Sequence, residues 1–163
     1  MVKIEYETLL GKHSSIVKEV IGNDFDNKLF DKNFYYLKDE NLKKNLHGIN
    51  YNTISISSDK NEIIESVTVH FSSIINKEFY EKLNQIYGLP KEIKVISKRE
   101  IVSESNDNDT FFSQNMRKSN IELQNGSFEE NPLYIIWNKD NFEIIIFTRH
   151  NIGISEITFK IKN

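Results

Sequence analysis

The chain has 163 residues, a formal net charge of −3 and no cysteine. That size suits one domain, or two small halves sharing a core, and the missing cysteine excludes disulfides, thiolate zinc sites and cysteine nucleophiles. Aromatic residues make up 12% with only two prolines, which excludes a disordered chain, and the mild negative charge gives no electrostatic footprint for nucleic acid.

No apolar run approaches the roughly 20 residues of a membrane helix, and residues Met1 to Glu7 carry no apolar signal segment behind Lys3. The expectation is a cytoplasmic protein, unless a leader has been removed. Alanine is absent, while Ile, Asn and Lys together exceed a third of the residues. Alanine is the best helix former and isoleucine is β-branched, so the bias favours sheet over helix.

The first helix signal is Ser14 to Ile21, with Ser14 or Ser15 as cap, Ile16, Val17, Val20 and Ile21 on one face, and Gly22 as a left-handed stop. Phe34 to Leu37 reads as a strand, and Asp39 to Gly48 as a polar insertion with room for one helical turn. Ile54 and Ile56 alternate with serines, Ser58 to Asn61 makes a turn, and Val67, Val69 and Phe71 alternate with Ser66, Thr68 and His70. This is a hairpin with one buried and one solvated face.

A second helix spans about Asn76 to Tyr87, capped by Asn76 and stopped by Gly88 and Pro90. Strands follow at Ile93 to Val102, Leu133 to Trp137, Phe142 to Arg149 and around Ile157 to Ile161. Ser103 to Asn131 is rich in Asn, Asp, Ser and Glu and reads as a long loop or a hairpin extension. The expected architecture is a single α+β domain, an antiparallel sheet with two helices on one face. The matching order of elements suggests a tandem α-β-β-β duplication with halves 1–75 and 76–163.

The run Leu10-Gly11-Lys12-His13-Ser14-Ser15-Ile16-Val17-Lys18-Glu19-Val20-Ile21-Gly22 resembles the opening of SmpA/OmlA-like and β-lactamase-inhibitor-protein-like helix-plus-meander repeats. Ser57, Asp59 to Glu62 and Val67-Thr68-Val69 are similar to the later hairpin of such a repeat. Leu83 to Pro90 and Trp137 resemble a second copy. The 103–131 insertion is not part of that pattern, and members of the group are typically exported. The resemblance implies a non-enzymatic, protein-binding sheet and carries over no catalytic residue.

Chemistry-bearing patterns are sparse. His13, His47, His70 and His150 show no metal-ligand spacing. His70 reads as a solvated strand residue, and His13 with Ser14 and Ser15 as a turn and helix cap. Counting from Asp107, a calcium loop would need glycine at the sixth residue and glutamate at the twelfth, where Phe112 and Lys118 stand. No cofactor, metal or catalytic residue is expected.

The C-terminal hairpin is different. With Lys139-Asp140 at its turn, Trp137 would pair with Phe142, Ile135 with Ile144 and Leu133 with Ile146, all facing the helices. The other face then carries Tyr134, Ile136, Ile145 and Phe147, edged by Glu143 and Arg149. A half-solvated sheet has no reason to place four large apolar residues there. Their cover is either the long loop, through Phe111, Phe112 or Phe128, or a partner protein.

The leading expectation is a non-enzymatic protein-binding protein, such as an inhibitor or immunity protein neutralising a toxin or enzyme. The alternatives are a small-ligand protein or enzyme, with a pocket between sheet and long loop using His150, Arg149 or nearby acids, and an envelope-assembly module.

Overall fold

The computed structural model describes residues 5–22, 25–30, 32–36, 44–51, 53–109 and 112–162, with backbone only for 44, 104–109 and 112–117. It is an antiparallel α+β structure. In chain order it has a 3-10 turn Tyr6–Leu9, α1 (Ile16–Ile21), β1 (Asn27–Leu29), β2 (Lys32–Tyr36), β3 (Lys44–Leu46), β4 (Ile49–Tyr51), β5 (Thr53–Ser58) and β6 (Ile64–Phe71). Then come α2 (Lys77–Tyr87), β7 (Glu92–Asp109), β8 (Phe112–Asn125), a 3-10 turn Phe128–Glu130, β9 (Tyr134–Asn138), β10 (Phe142–Arg149) and β11 (Ile154–Ile161). Nine strands form one sheet in the order β1-β2-β5-β6-β11-β10-β9-β7-β8, and β3 and β4 pair separately.

Both helix stops are glycines, for different geometric reasons. Gly22 is left-handed at φ 95°, and its N–H donates to the Lys18 carbonyl at 2.9 Å. Gly88 ends α2 at φ 82° and ψ −172°, a region closed to residues with a Cβ. It is therefore a stop of a different kind from the left-handed Gly22. Asn76 does cap α2, its side chain accepting the Phe79 N–H at 2.9 Å. Ser15 sits at the start of α1, but its side chain makes no cap hydrogen bond; it pairs with His13 Nδ1 at 2.9 Å instead.

The period-2 alternation of each strand sends one set of side chains into a single core. Ile54 and Ile56, Val67 and Val69, Ile157 and Phe159, Ile144 and Ile146, and Ile135 and Trp137 join Val17 and Ile21 of α1 and Phe79 and Leu83 of α2. Trp137 is 1% exposed, and its indole N–H donates to the Gly88 carbonyl at 2.9 Å, tying β9 to the end of α2. Tyr6 and Tyr51 bond hydroxyl to hydroxyl inside this core. Burial pushes Tyr6 well above the usual phenol range and Tyr51 up to about 12, so both stay neutral donors and acceptors.

Two expectations can now be resolved. Of the two readings of 103–131, the described residues follow the hairpin extension and not the long loop. Strand β7 runs 18 residues and β8 14, paired from Lys94↔Asn125 out to Asp109↔Phe112. The polar composition that suggested a loop is that of a two-stranded ribbon, exposed at 97–103 and 118–125. Its backbone is satisfied by cross-strand pairing rather than by burial. The 39–48 insertion is not helical over its described part, since Lys44 to Leu46 is strand β3; residues 39–43 lie outside the described residues.

The register of the C-terminal hairpin also differs. Trp137 pairs with Ile144, Ile135 with Ile146 and Tyr134 with Phe147, a shift of two from the expected pairing. An even shift keeps every side chain on its expected face.

Candidate functional site

Opposite the core, β9 and β10 present Tyr134, Ile136, Glu143, Ile145 and Phe147, all half-buried, and an exposed Arg149. Tyr134 and Phe147 are direct cross-strand partners, as are Ile136 and Ile145. The Tyr134 and Phe147 rings stack at 4.9 Å with a 16° interplanar angle, and the Arg149 guanidinium lies 5.1 Å from the Phe147 centroid. Five of the six expected residues thus form a continuous strip. Glu143 pairs with Asn138 at the turn end of the hairpin, and Arg149 lies at the other end.

The long segment's aromatic residue is used elsewhere. Phe128 stacks on Tyr80 of α2 at 4.6 Å and so packs with the core. Phe111, and the side chain of Phe112, lie outside the described residues.

The strip runs into a cleft of about 480 Å³ between the ends of β9 and β10 and the root of the β7–β8 ribbon. Pairing of β7 with β9 stops at Lys94↔Tyr134, and beyond that point the ribbon leaves the sheet. A bulge between Ile96 and Lys98 makes Ile96 face Leu123 and Arg99 face Ile121. The inserted residue therefore brings Arg99 to the same side as Ile96; without it, strict alternation would put them on opposite sides. Ile96, Arg99, Ser119 and Ile121 make one wall. Tyr134, Phe147, Arg149 and His150 make the other. His150 is anchored by its Nε2, 3.0 Å from the Pro132 carbonyl.

Arg99, Ile96, Ser119 and Ile121 were not expected at this site. Ile96 and Arg99 fall in an expected strand, but only the bulge reveals which way they point. Leu133, expected in the core, is buried but lines this cleft instead.

The other half of this face is not simply wet, as its Ser and Thr content implied. Ser55 is 1% exposed and Thr68 2%. Thr68 and Thr158 bond across β6 and β11 at 2.9 Å. His70 stacks on Phe34, its Nε2 lies 2.8 Å from the Ser55 hydroxyl, and its Nδ1 lies 3.4 Å from Glu156 Oε2. The small serine and threonine side chains are recessed between these larger neighbours. The hydrogen bond from His70, with further attraction from the cations around it, holds the Glu156 carboxyl below the usual range.

Hydroxyl, imidazole and carboxylate stand here in the order of a nucleophile, its base and the acid that orients the base. The surroundings do not suit acyl transfer. Ser55 is closed to a substrate carbonyl, and β5 is paired on both sides, so its backbone N–H groups are engaged in the ladder rather than poised for an oxyanion.

Among the described residues, no cluster of His, Cys, Asp or Glu could hold a metal ion, and no helix is long and apolar enough to cross a membrane. Compared with known proteins, the chain matches no family model, no curated protein and no solved structure.

Proposed function

We propose that the protein is a non-enzymatic binding protein that docks another protein on the outer face of β9 and β10. An inhibitor or immunity protein neutralising a toxin or enzyme is its concrete form, because a preformed sheet face can occlude a partner's site without chemistry of its own. The observation that carries this reading is the strip Tyr134, Ile136, Ile145 and Phe147. It is apolar, lies opposite the helices' core, is ordered by its own ring stacking, and is continuous with a cleft bearing two arginines. Aromatic and arginine anchors in a concave, partly desolvated setting are what dominate protein interfaces. Glu143 and Arg149 at the two ends would set orientation.

The same reading treats the chain as a tandem repeat of helix plus meander with both helices on one face. Strand order supports it: β6 and β11, the last strand of each half, pair at the sheet centre, with β5 and β2 stepping outward on one side and β10 and β9 on the other. A repeat of this kind, like the SmpA/OmlA-like group it resembles, is a scaffold for binding.

The test is capture of the partner from the source cell on immobilised protein, comparing the unaltered chain with Phe147→Asp and confirming folding by circular dichroism. A protein retained by the first and lost by the second is the expected result. Equal retention by both would refute the docking face.

A further inference from the structure

We propose that the cleft between the ribbon and the sheet is a carboxylate site, filled by the C-terminal carboxylate of the docked protein. This rests on the docking reading above and names what the partner brings to it. The first argument is convergence of charge. Arg99 comes from the bulged part of β7 and Arg149 from the end of β10, so two arginines line one cavity from opposite walls. Neither makes a salt bridge among the described residues, although Arg149 is near enough to Glu156 to help hold its carboxyl down. In a chain whose net charge is −3, two cations left together at one concavity raise the local potential against the trend of the whole surface.

The second argument is preorganisation. The guanidinium of Arg149 rests on the Phe147 ring, and that ring is fixed by Tyr134. Its side chain therefore loses less freedom when it grips a planar carboxylate in the forked geometry arginine favours. The third is the remaining lining. Ile96, Ile121 and Tyr134 supply an apolar wall for the groups flanking the carboxylate. The acid that lines the cleft, Glu130, has its Oε2 held by the Ser127 N–H at 2.8 Å and the Ser127 hydroxyl at 2.9 Å. An acid in the lining suits a singly charged carboxylate better than a phosphate dianion. About 480 Å³ falls within the usual range for a site that encloses a small ligand.

The experiment uses a matched pair of probes, N-acetyl-phenylalanine and its neutral amide, titrated into the isotope-labelled full chain and followed by NMR. The acid should bind at least about tenfold more tightly than the amide. Shifts should appear at the Nε–H of Arg99 and Arg149 and at Ile121 and Tyr134. In the double variant Arg99→Met, Arg149→Met, whose two sites are exposed, the preference should fall to about onefold while amide binding persists.

Equal binding of acid and amide, shifts centred elsewhere, a preference that survives the double variant, or phenyl phosphate binding tenfold more tightly than the acid would each overturn the assignment. Partner capture separates the two readings. Capture lost on Phe147→Asp with no acid preference overturns the carboxylate site alone. Capture indifferent to Phe147→Asp overturns the docking face on which the site depends.

Discussion

Replacing Phe147 with alanine separates a side chain kept for docking from one kept for stability. Phe147 is half-buried on the outer face, so truncation leaves no sealed cavity. It removes the stack on Tyr134, worth about 0.5–1.5 kcal/mol, and the contact with Arg149, worth about 0.5–1 kcal/mol at an exposed site. Part of its burial is lost as well, some fraction of the roughly 1.5–3 kcal/mol of a fully buried side chain. These contributions overlap, and a net loss of about 2 kcal/mol follows, or about 4–8 °C in Tm for a chain of this size.

The comparison is Ile146→Ala. Ile146 is the preceding residue on the same strand, faces the core and is 0% exposed; its loss should cost about 2–5 kcal/mol, with a cavity. Urea titration followed by the single, buried Trp137 reports both. A loss of more than about 3 kcal/mol for Phe147→Ala, in the range of a core phenylalanine, would refute the reasoning. The outer strip would then be a second core rather than a surface held for a partner.

Three further outcomes are expected. Trp137→Phe removes the donor to the Gly88 carbonyl and should cost about 0.5–1.5 kcal/mol, the net worth of one hydrogen bond, because Gly88 is exposed; circular dichroism in urea measures it, and no loss would mean that water fully replaces the bond. Gly126→Ala places a Cβ 2.6 Å from a Val95 methyl and should cost about 1–3 kcal/mol through overpacking against a stiff β-branched neighbour; the double change Gly126→Ala, Val95→Ala should recover part of the loss, and strict additivity would contradict the clash. Because Glu156 is held below the usual carboxylate range, its contribution to stability is complete above its unfolded value and is lost as pH falls through the lower folded value. Glu156→Gln should therefore flatten the acid limb of a stability–pH curve, and an unchanged slope would exclude the His70 contact as its cause.

Much of the sheet is legible in the residues because its strands obey the two-residue period. Val67, Val69 and Phe71 against Ser66, Thr68 and His70 define β6 without reference to anything else, and the four large apolar residues on the back of β9 and β10 follow by parity even with the turn displaced. What stays hidden depends on tertiary context. The hairpin turn is centred one residue later than Lys139-Asp140, because the Lys139 N–H closes onto the Phe142 carbonyl and leaves Asp140 and Asn141 at the turn. Residues 103–109 and 113–115 are polar by sequence, with no apolar alternation to announce a strand, and only the pairing of β7 with β8 shows one. Arg99 escapes notice because a single inserted residue reverses its side, and nothing in Ser97 or Lys98 announces a bulge. The network around His70 is equally silent, since its partners Ser55 and Glu156 come from different halves of the chain.

The ribbon that closes the cleft has an unequal standing in the fold. From Val95 outward, its ladder runs between β7 and β8 alone, and a two-stranded β structure is at best marginally stable by itself. The facing wall belongs to strands anchored in the hydrophobic core. Amide protons along β7 should therefore exchange progressively faster with distance from Lys94, while those of β10 open only with the whole molecule. Whatever bridges the two walls would also tie the weaker unit to the stronger one, so occupancy of the cleft should register as slowed exchange well out along the ribbon, far from any atom the occupant touches.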